Sequence, residues 1–248
     1  MLRSLMVNTI AFAILLIGWH VLYLSVHEPM IFPDSWSISA ALYDLIQTKK
    51  FWASFYYTMR TLVLGYLLGM CITAIIVIIC LKLPWAKILF IRYSSYFNPL
   101  PSFVLLPFMS LFMGLGAAVI YSIIVWNVVW QCGLQLLYAI ENVNRRWHKH
   151  VVNLQWGSIK ALRLVYFPAA ISNIISIASI SWAQSWRVLI SLEVVFGSIG
   201  GYFGLGSFIM DTKSKLDVDQ MYAVLFVIAV TGVAINSLLN FLAKRWSY

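Results

Sequence analysis

The sequence predicts an all-α, polytopic membrane protein with about six transmembrane helices, each near the ~20 residues that a bilayer core demands. Three observations carry this. Of 248 residues, 62% are hydrophobic and only 10% charged, whereas a soluble domain carries roughly a quarter charged residues. The apolar residues gather into runs near 5–26, 52–81, 88–113, 117–140, 171–198 and 220–243. Period-two alternation is absent, so a membrane β-barrel is not indicated. Helices satisfy their own backbone hydrogen bonds in lipid and are the expected solution.

The first run follows Arg3 and resembles a signal peptide in outline. It is longer than a usual signal core and lacks a small-x-small cleavage site, so it reads as a retained span. No soluble domain is expected, and residues 1–248 read as one transmembrane domain. One set of connections carries Arg3, Lys82, Lys87, Arg92, Arg145, Arg146, Lys149, Lys160, Arg163, Lys244 and Arg245. The other carries only Lys49, Lys50, Lys213 and Lys215, with Asp34, Asp44, Asp211, Asp217 and Asp219. Cytoplasmic loops collect Lys and Arg, which places the first set and both termini in the cytoplasm. The same bias explains the net charge of +9 without a nucleic-acid partner; the lipid bilayer is the partner.

Two segments between the runs stand out. Residues 35–48 read as a short amphipathic helix on the outer side, with Ser35 as a candidate cap. Residues 141–170 form the longest cytoplasmic connection and carry Arg145, Arg146, His148, Lys149, His150, Lys160 and Arg163. Its apolar positions, Val151, Val152, Leu154, Ile159, Leu162 and Val165, suit short helices across the membrane face. Such a segment is either a docking element or a positive loop resting on lipid headgroups.

Nothing in the chain points to bond chemistry. The motifs G-x-x-x-x-G-K-[ST], H-E-x-x-H and G-x-S-x-G do not occur. His148 and His150 are too sparse for a metal site, and Cys71, Cys80 and Cys132 lie in apolar runs as small packing residues. No catalytic residue, metal or cofactor is expected. Charge inside a membrane is costly and usually functional, which singles out Arg60, Arg187 and Glu193. Arg60 and Glu193 lie near the outer ends of their runs. They could pair, line an outer gate, or sit at the interface, Arg60 by snorkelling. Trp182, Trp186, Leu189 and Glu193 fall on one stripe of the fifth run, with Arg187 off it. Arg187 could draw an anion into a path or serve as a structural charge. Gly65-x-x-x-Gly69 permits close helix packing.

The stretch from Asn98 to Gly116, with Pro99, Pro101, Pro107, Gly114 and Gly116, resembles a signature of the nitrate/sulfonate/taurine-type group of ABC importer permeases. Phe32-Pro33-Asp34-Ser35, Thr58-Met59-Arg60, Gly65 and Gly69 are similar to that group's first half. Trp186, Glu193, Gly197, Gly204-x-Gly206 and Asp219-x-x-Tyr222-Ala223 are similar to its second. The family's cytoplasmic E-A-A-x-x-x-G loop has a degenerate counterpart ahead of Pro168. One register sets Lys149, His150 and Val151 at E-A-A and Gln155 at the glycine. The other sets Val151, Val152 and Asn153 there and Gly157 at the glycine. The resemblance implies an ATPase-coupling loop of Lys149, His150, Val151, Val152, Leu154, Gln155, Trp156 and Gly157. It implies a translocation path or gate near Arg60, Trp182, Trp186, Arg187 and Glu193. It also implies a homodimer, two cytoplasmic ATPase subunits, an external or periplasmic substrate-binding protein, and a bacterial cytoplasmic (inner) membrane. Members of the group import small solutes, often nitrate, bicarbonate or sulfonates and sometimes thiamine-precursor pyrimidines. A secondary transporter working without an ATPase, and a membrane assembly protein, remain as alternative readings.

Overall fold

A computed structural model describes Ile10, Ile14, and residues 17–26, 28, 31–153, 164–165, 167–196 and 204–245. All regular structure among these residues is helical. The elements are α1 (Ile17–Val26), α2 (Ser35–Gln47), α3 (Lys49–Lys82), α4 (Pro84–Phe97), a 3₁₀ turn (Ser102–Leu105) and α5 (Leu106–Met113). They continue as α6 (Ala117–Asn153), α7 (Phe167–Phe196), α8 (Leu205–Ser214) and α9 (Val218–Arg245).

Local chemistry sets the boundaries. Thr48 separates α2 from α3, and its Oγ1 accepts from the Phe51 N–H at 3.3 Å. This supplies one of the first-turn donors with its partner. Asp34, rather than Ser35, holds the N-cap position of α2 and offers no side-chain cap. Ser37 Oγ instead donates to the Asp34 carbonyl at 2.9 Å. Pro84 opens α4, where a missing N–H costs nothing. Gly114 ends α5 at φ 72°, a conformation glycine adopts without a Cβ clash.

The expected continuous span over 88–113 is broken. Pro99 and Pro101 have no N–H to give. Helix α4 therefore stops at Phe97, and the chain resumes at Ser102 after turning by 91°. The fourth run extends farther than expected: α6 continues unbroken through 141–153, which the sequence assigned to the cytoplasmic connection. Residues 205–214, read as part of an outer loop, form α8.

Among the described residues, three helices are long and apolar enough to cross a membrane: α3, α6 over Ala117–Val143, and α9 over Val218–Phe241. The α4–α5 pair makes a fourth if the bent pair is one span. Helix α7 is long enough at 30 residues but is more polar. It carries Ser179, Ser181, Ser185 and Glu193, all buried. A helix that turns polar groups toward other helices needs less apolar character than one facing lipid. Part of the first run, 5–9, 11–13 and 15–16, lies outside the described residues. The result is an all-α, multi-pass membrane fold.

Helix α6 is the hub. It packs along α3 and α7, while α4 and the 3₁₀ turn lean on it. The close approach of α3 to α6 depends on Gly65 and Gly69. A Cβ at Gly65 would lie 3.1 Å from Ile124 Cδ1, and one at Gly69 would lie 2.9 Å from Val128 Cβ. The glycine pair picked out by its spacing is therefore a packing seam. Leu62, Ile120, Ile123, Ile124, Val128, Leu189 and Leu192 form the centre of the main core. A smaller cluster of Val77, Cys80, Phe90, Val129, Leu136 and Leu137 ties α4 to the other ends of α3 and α6.

Candidate functional site

Two sites emerge where α7 meets its neighbours. The first is a buried carboxylate clamp. Glu193 is 0% exposed. Its carboxylate accepts from Thr58 Oγ1 at 2.9 and 3.0 Å and from the Gly206 N–H at 2.9 Å. Thr58 Oγ1 in turn accepts from the Leu205 N–H at 2.9 Å. Leu205 and Gly206 begin α8, and the first N–H groups of a helix have no partner within it. Gly204, at the N-cap, brings no side chain to satisfy them. Side chains from α3 and α7 therefore cap α8 from outside, and the positive end of the helix dipole faces a carboxylate. A Cβ at Gly204 would overlap the Glu193 carboxylate, and one at Gly206 would meet the Ile190 carbonyl at 2.7 Å. The Gly-x-Gly spacing is what lets α8 come this close.

The predicted stripe on α7 is a buried face. Leu189 is fully buried and Trp186 nearly so. Trp186 lies against Gly232 of α9. Trp182 meets Tyr66 edge-on at 5.0 Å. Tyr66 donates to the Ala178 carbonyl at 2.8 Å and shares a hydrogen bond with Ser181 at 2.9 Å. Arg187 is exposed and donates to Gln184 Oε1 at 3.3 Å. Arg60 is exposed on α3. The ion pairs among the described residues are Lys50–Asp211, Lys215–Asp211 and Lys87–Glu141; an Arg60–Glu193 pair is not among them. Glu193 takes hydroxyl and backbone donors in place of the arginine.

The second site is a cavity of about 250 Å³ at the break between α4 and the 3₁₀ turn. Its walls include Phe97, Trp126 and Trp130, whose ring centroids lie 4.9–5.5 Å apart. Asn98, Asn127, Gln131 and Gln184 supply amides. Asn127 is buried, accepts from Ser102 Oγ at 3.1 Å and donates to Ser185 Oγ at 3.3 Å. It thereby ties the break to α7. The sequence reading singled out the prolines but missed the amides, which carry no signal until the break gathers them.

Lys149, His150, Val151 and Val152 fall on the last turns of α6. Leu154, Gln155, Trp156 and Gly157 lie outside the described residues. No group of His, Cys, Asp and Glu that could hold a metal occurs among the described residues.

The family of binding-protein-dependent transport system inner membrane components matches residues 77–247. The chain belongs to this family. The matched region covers α4 to α9, and so both the cavity and the Glu193 side of the clamp; Thr58 lies before it. One relative is the nitrate import permease protein NrtB of Leptolyngbya laminosa, 20% identical over 119 residues. The alignment covers 48% of this chain and 41% of that protein, so the chain spans less than half of that relative. The fold resembles the MetNI methionine ABC transporter in inward-facing form, with a TM-score of 0.54 at 14% identity. That likeness covers 89% of this chain and 99% of the other. The helix order described above is thus an ABC-importer permease fold, and permeases of this family are not themselves enzymes.

Proposed function

We propose that this chain is the membrane-spanning subunit of an ATP-driven importer. It translocates a small solute delivered by an external substrate-binding protein. Two copies pair around the path, each with six spans and cytoplasmic termini, in a bacterial inner membrane. Separate ATPase subunits bind on the cytoplasmic side.

The observation that supports this best, beyond family membership, is the length of α6. Its 37 residues extend ~55 Å at a 1.5 Å rise per residue, against a hydrocarbon core of ~30 Å. The excess falls at 141–153, where Arg145, Arg146 and Lys149 favour the cytoplasmic side. Helix α6 is also the hub of the bundle. A rigid arm that leaves the membrane at one end and holds α3 and α7 at the other can convert closure of an ATPase pair into helix movement. Residues 149–153 form the tip of that arm in this reading, and Leu154, Gln155, Trp156 and Gly157 follow it in sequence. The exposed Arg60 and Arg187 flank the path, and Trp182, Trp186 and Glu193 form its supporting frame.

A broken span and a buried acid are also what a stand-alone ion-coupled carrier would use. In such a carrier the acid faces the cargo cavity. Here the Glu193 carboxylate is closed by Thr58 and Gly206, and among the described residues no acid lines the cavity. The importer reading is tested by co-expressing the chain with its cognate ATPase. The two are expected to co-purify in detergent, and to separate once residues 149–157 are replaced by a Gly/Ser segment. Co-purification that survives the replacement would remove the coupling role of that segment.

A further inference from the structure

We infer that the cavity at the α4–3₁₀ break binds a small, uncharged, planar solute carrying both hydrogen-bond donors and acceptors. Assigning that solute as the transported cargo rests on the importer reading; the binding itself does not.

The size of the cavity sets the scale. A cavity of about 150 Å³ accepts one benzene ring. At about 250 Å³, this one has room for a single ring with a few substituents. Its shape chemistry is divided. One side is an aromatic wall: Phe97 meets Trp126 at 4.9 Å and Trp130 at 4.9 Å. Such rings favour the flat face of a planar guest.

The other contributions are amides. Asn98 and Gln131 make no side-chain hydrogen bond with the described residues and are open to a guest as donor and acceptor alike. Arg187 engages Gln184 Oε1, which leaves the Gln184 Nε2 as a donor. The break thus gathers amide side chains from the end of α4, from α6 and from α7 around one cavity.

Charge is the deciding feature. Among the described residues, none that lines the cavity is ionisable. An anion held there would gain no opposite charge from the wall for the water it gives up, which is unfavourable. Arg187 stands behind Gln184 and is exposed, outside the wall. An uncharged ring with amide-like edges meets every group present without leaving a buried charge uncompensated.

The test uses the full chain in lipid nanodiscs and isothermal titration with four probes. Nicotinamide and benzamide are planar and uncharged; nitrate and methanesulfonate are anions. At least one planar probe is expected to bind saturably, with an affinity unchanged by added salt. Gln131→Leu and Gln184→Leu should each weaken it about tenfold, the effect of one lost hydrogen bond of ordinary strength, while melting like the wild type. Should a glutamine variant fail to fold, Leu100→Trp, which fills an exposed part of the wall, should abolish binding. The inference is overturned if the anions bind and the planar probes do not, with Arg187→Gln removing that binding. It is equally overturned if planar binding survives these substitutions, or if the folded chain binds none of the four. Failure here would leave ATP-dependent uptake untouched, and failure of uptake would leave this binding in place.

Discussion

Thr58 on α3 donates its hydroxyl to the carboxylate of Glu193 on α7, at 2.9 and 3.0 Å, across 135 residues of sequence. The same hydroxyl oxygen receives the first N–H of α8. One threonine therefore joins three helices. Thr58→Val keeps the shape and removes both bonds. It is expected to destabilise the chain by about 1–3 kcal/mol, the cost of leaving a buried polar group without its partner. Thr58→Ser should stay close to wild type. Thermal unfolding in detergent measures both. A double-mutant cycle of Thr58→Val with Glu193→Gln should be non-additive, whereas Arg60→Ala with Glu193→Gln should be additive. Coupling to Arg60 instead would mean that the arginine closes on the acid in the membrane.

The two glycines at the start of α8 should differ in their tolerance. A Cβ at Gly206 meets the backbone of α7 at Ile190 and Val194, which cannot move aside. One at Gly204 meets the Glu193 carboxylate, which can rotate at the loss of its hydrogen bonds. Gly206→Ala is expected to cost about 2–3 kcal/mol, at the upper end of ordinary overpacking, and Gly204→Ala less. Gly116→Ala, with open space around it, serves as the control. Equal melting temperatures for all three would show that α8 does not sit against α7.

The seam between α3 and α6 makes a rescue experiment possible. Gly69→Ala drives a methyl into Val128 and should lower the melting temperature clearly. Adding Val128→Ala removes the obstructing side chain and should recover much of the loss. No recovery would mean that another pair of residues sets the α3–α6 distance.

The seam was legible in the sequence because Gly65 and Gly69 sit one helical turn apart in an apolar run. The buried stripe of α7 was legible for the same reason, since Trp182, Trp186, Leu189 and Glu193 follow the helical period. The Thr58–Glu193 bond was not. Periodicity reports which face a residue occupies, and it cannot choose among the many hydroxyls that a distant helix might bring to that face. An opposite charge was the natural partner to expect for Glu193. The fold met its need with a threonine and a helix N-terminus instead. The prolines at 99 and 101 did announce trouble in the third run. Whether such prolines kink a helix or turn the chain through a right angle depends on partners elsewhere in the chain, and here the Ser102–Asn127 hydrogen bond holds the turn against α6. Helix α8 was hidden because its stabilising caps come from α3 and α7, not from its own sequence.

Asp211 gives a pH prediction at the C-terminal end of α8. Hydrogen bonds from Lys215 and Lys50 hold its carboxyl below the usual carboxylate range. A depressed folded pKa stabilises the fold above the unfolded value of ~3.9 and loses that contribution as pH falls through the folded one. The pairs are solvent-exposed, so the effect is small. The stability difference between wild type and Asp211→Asn should stay constant above about pH 5 and shrink below about pH 4. Melting curves across that interval measure it, and a difference that grows on acidification would contradict the assignment.

The central claim is that this chain is the gate of an ATP-driven machine and not a carrier by itself. The most direct measurement is solute uptake into proteoliposomes holding the chain alone or the chain with its ATPase, with the binding protein added outside. The account predicts uptake only when the ATPase and internal ATP are both present, and none from an imposed proton or sodium gradient. Uptake by the chain alone, driven by such a gradient and indifferent to ATP, would contradict it.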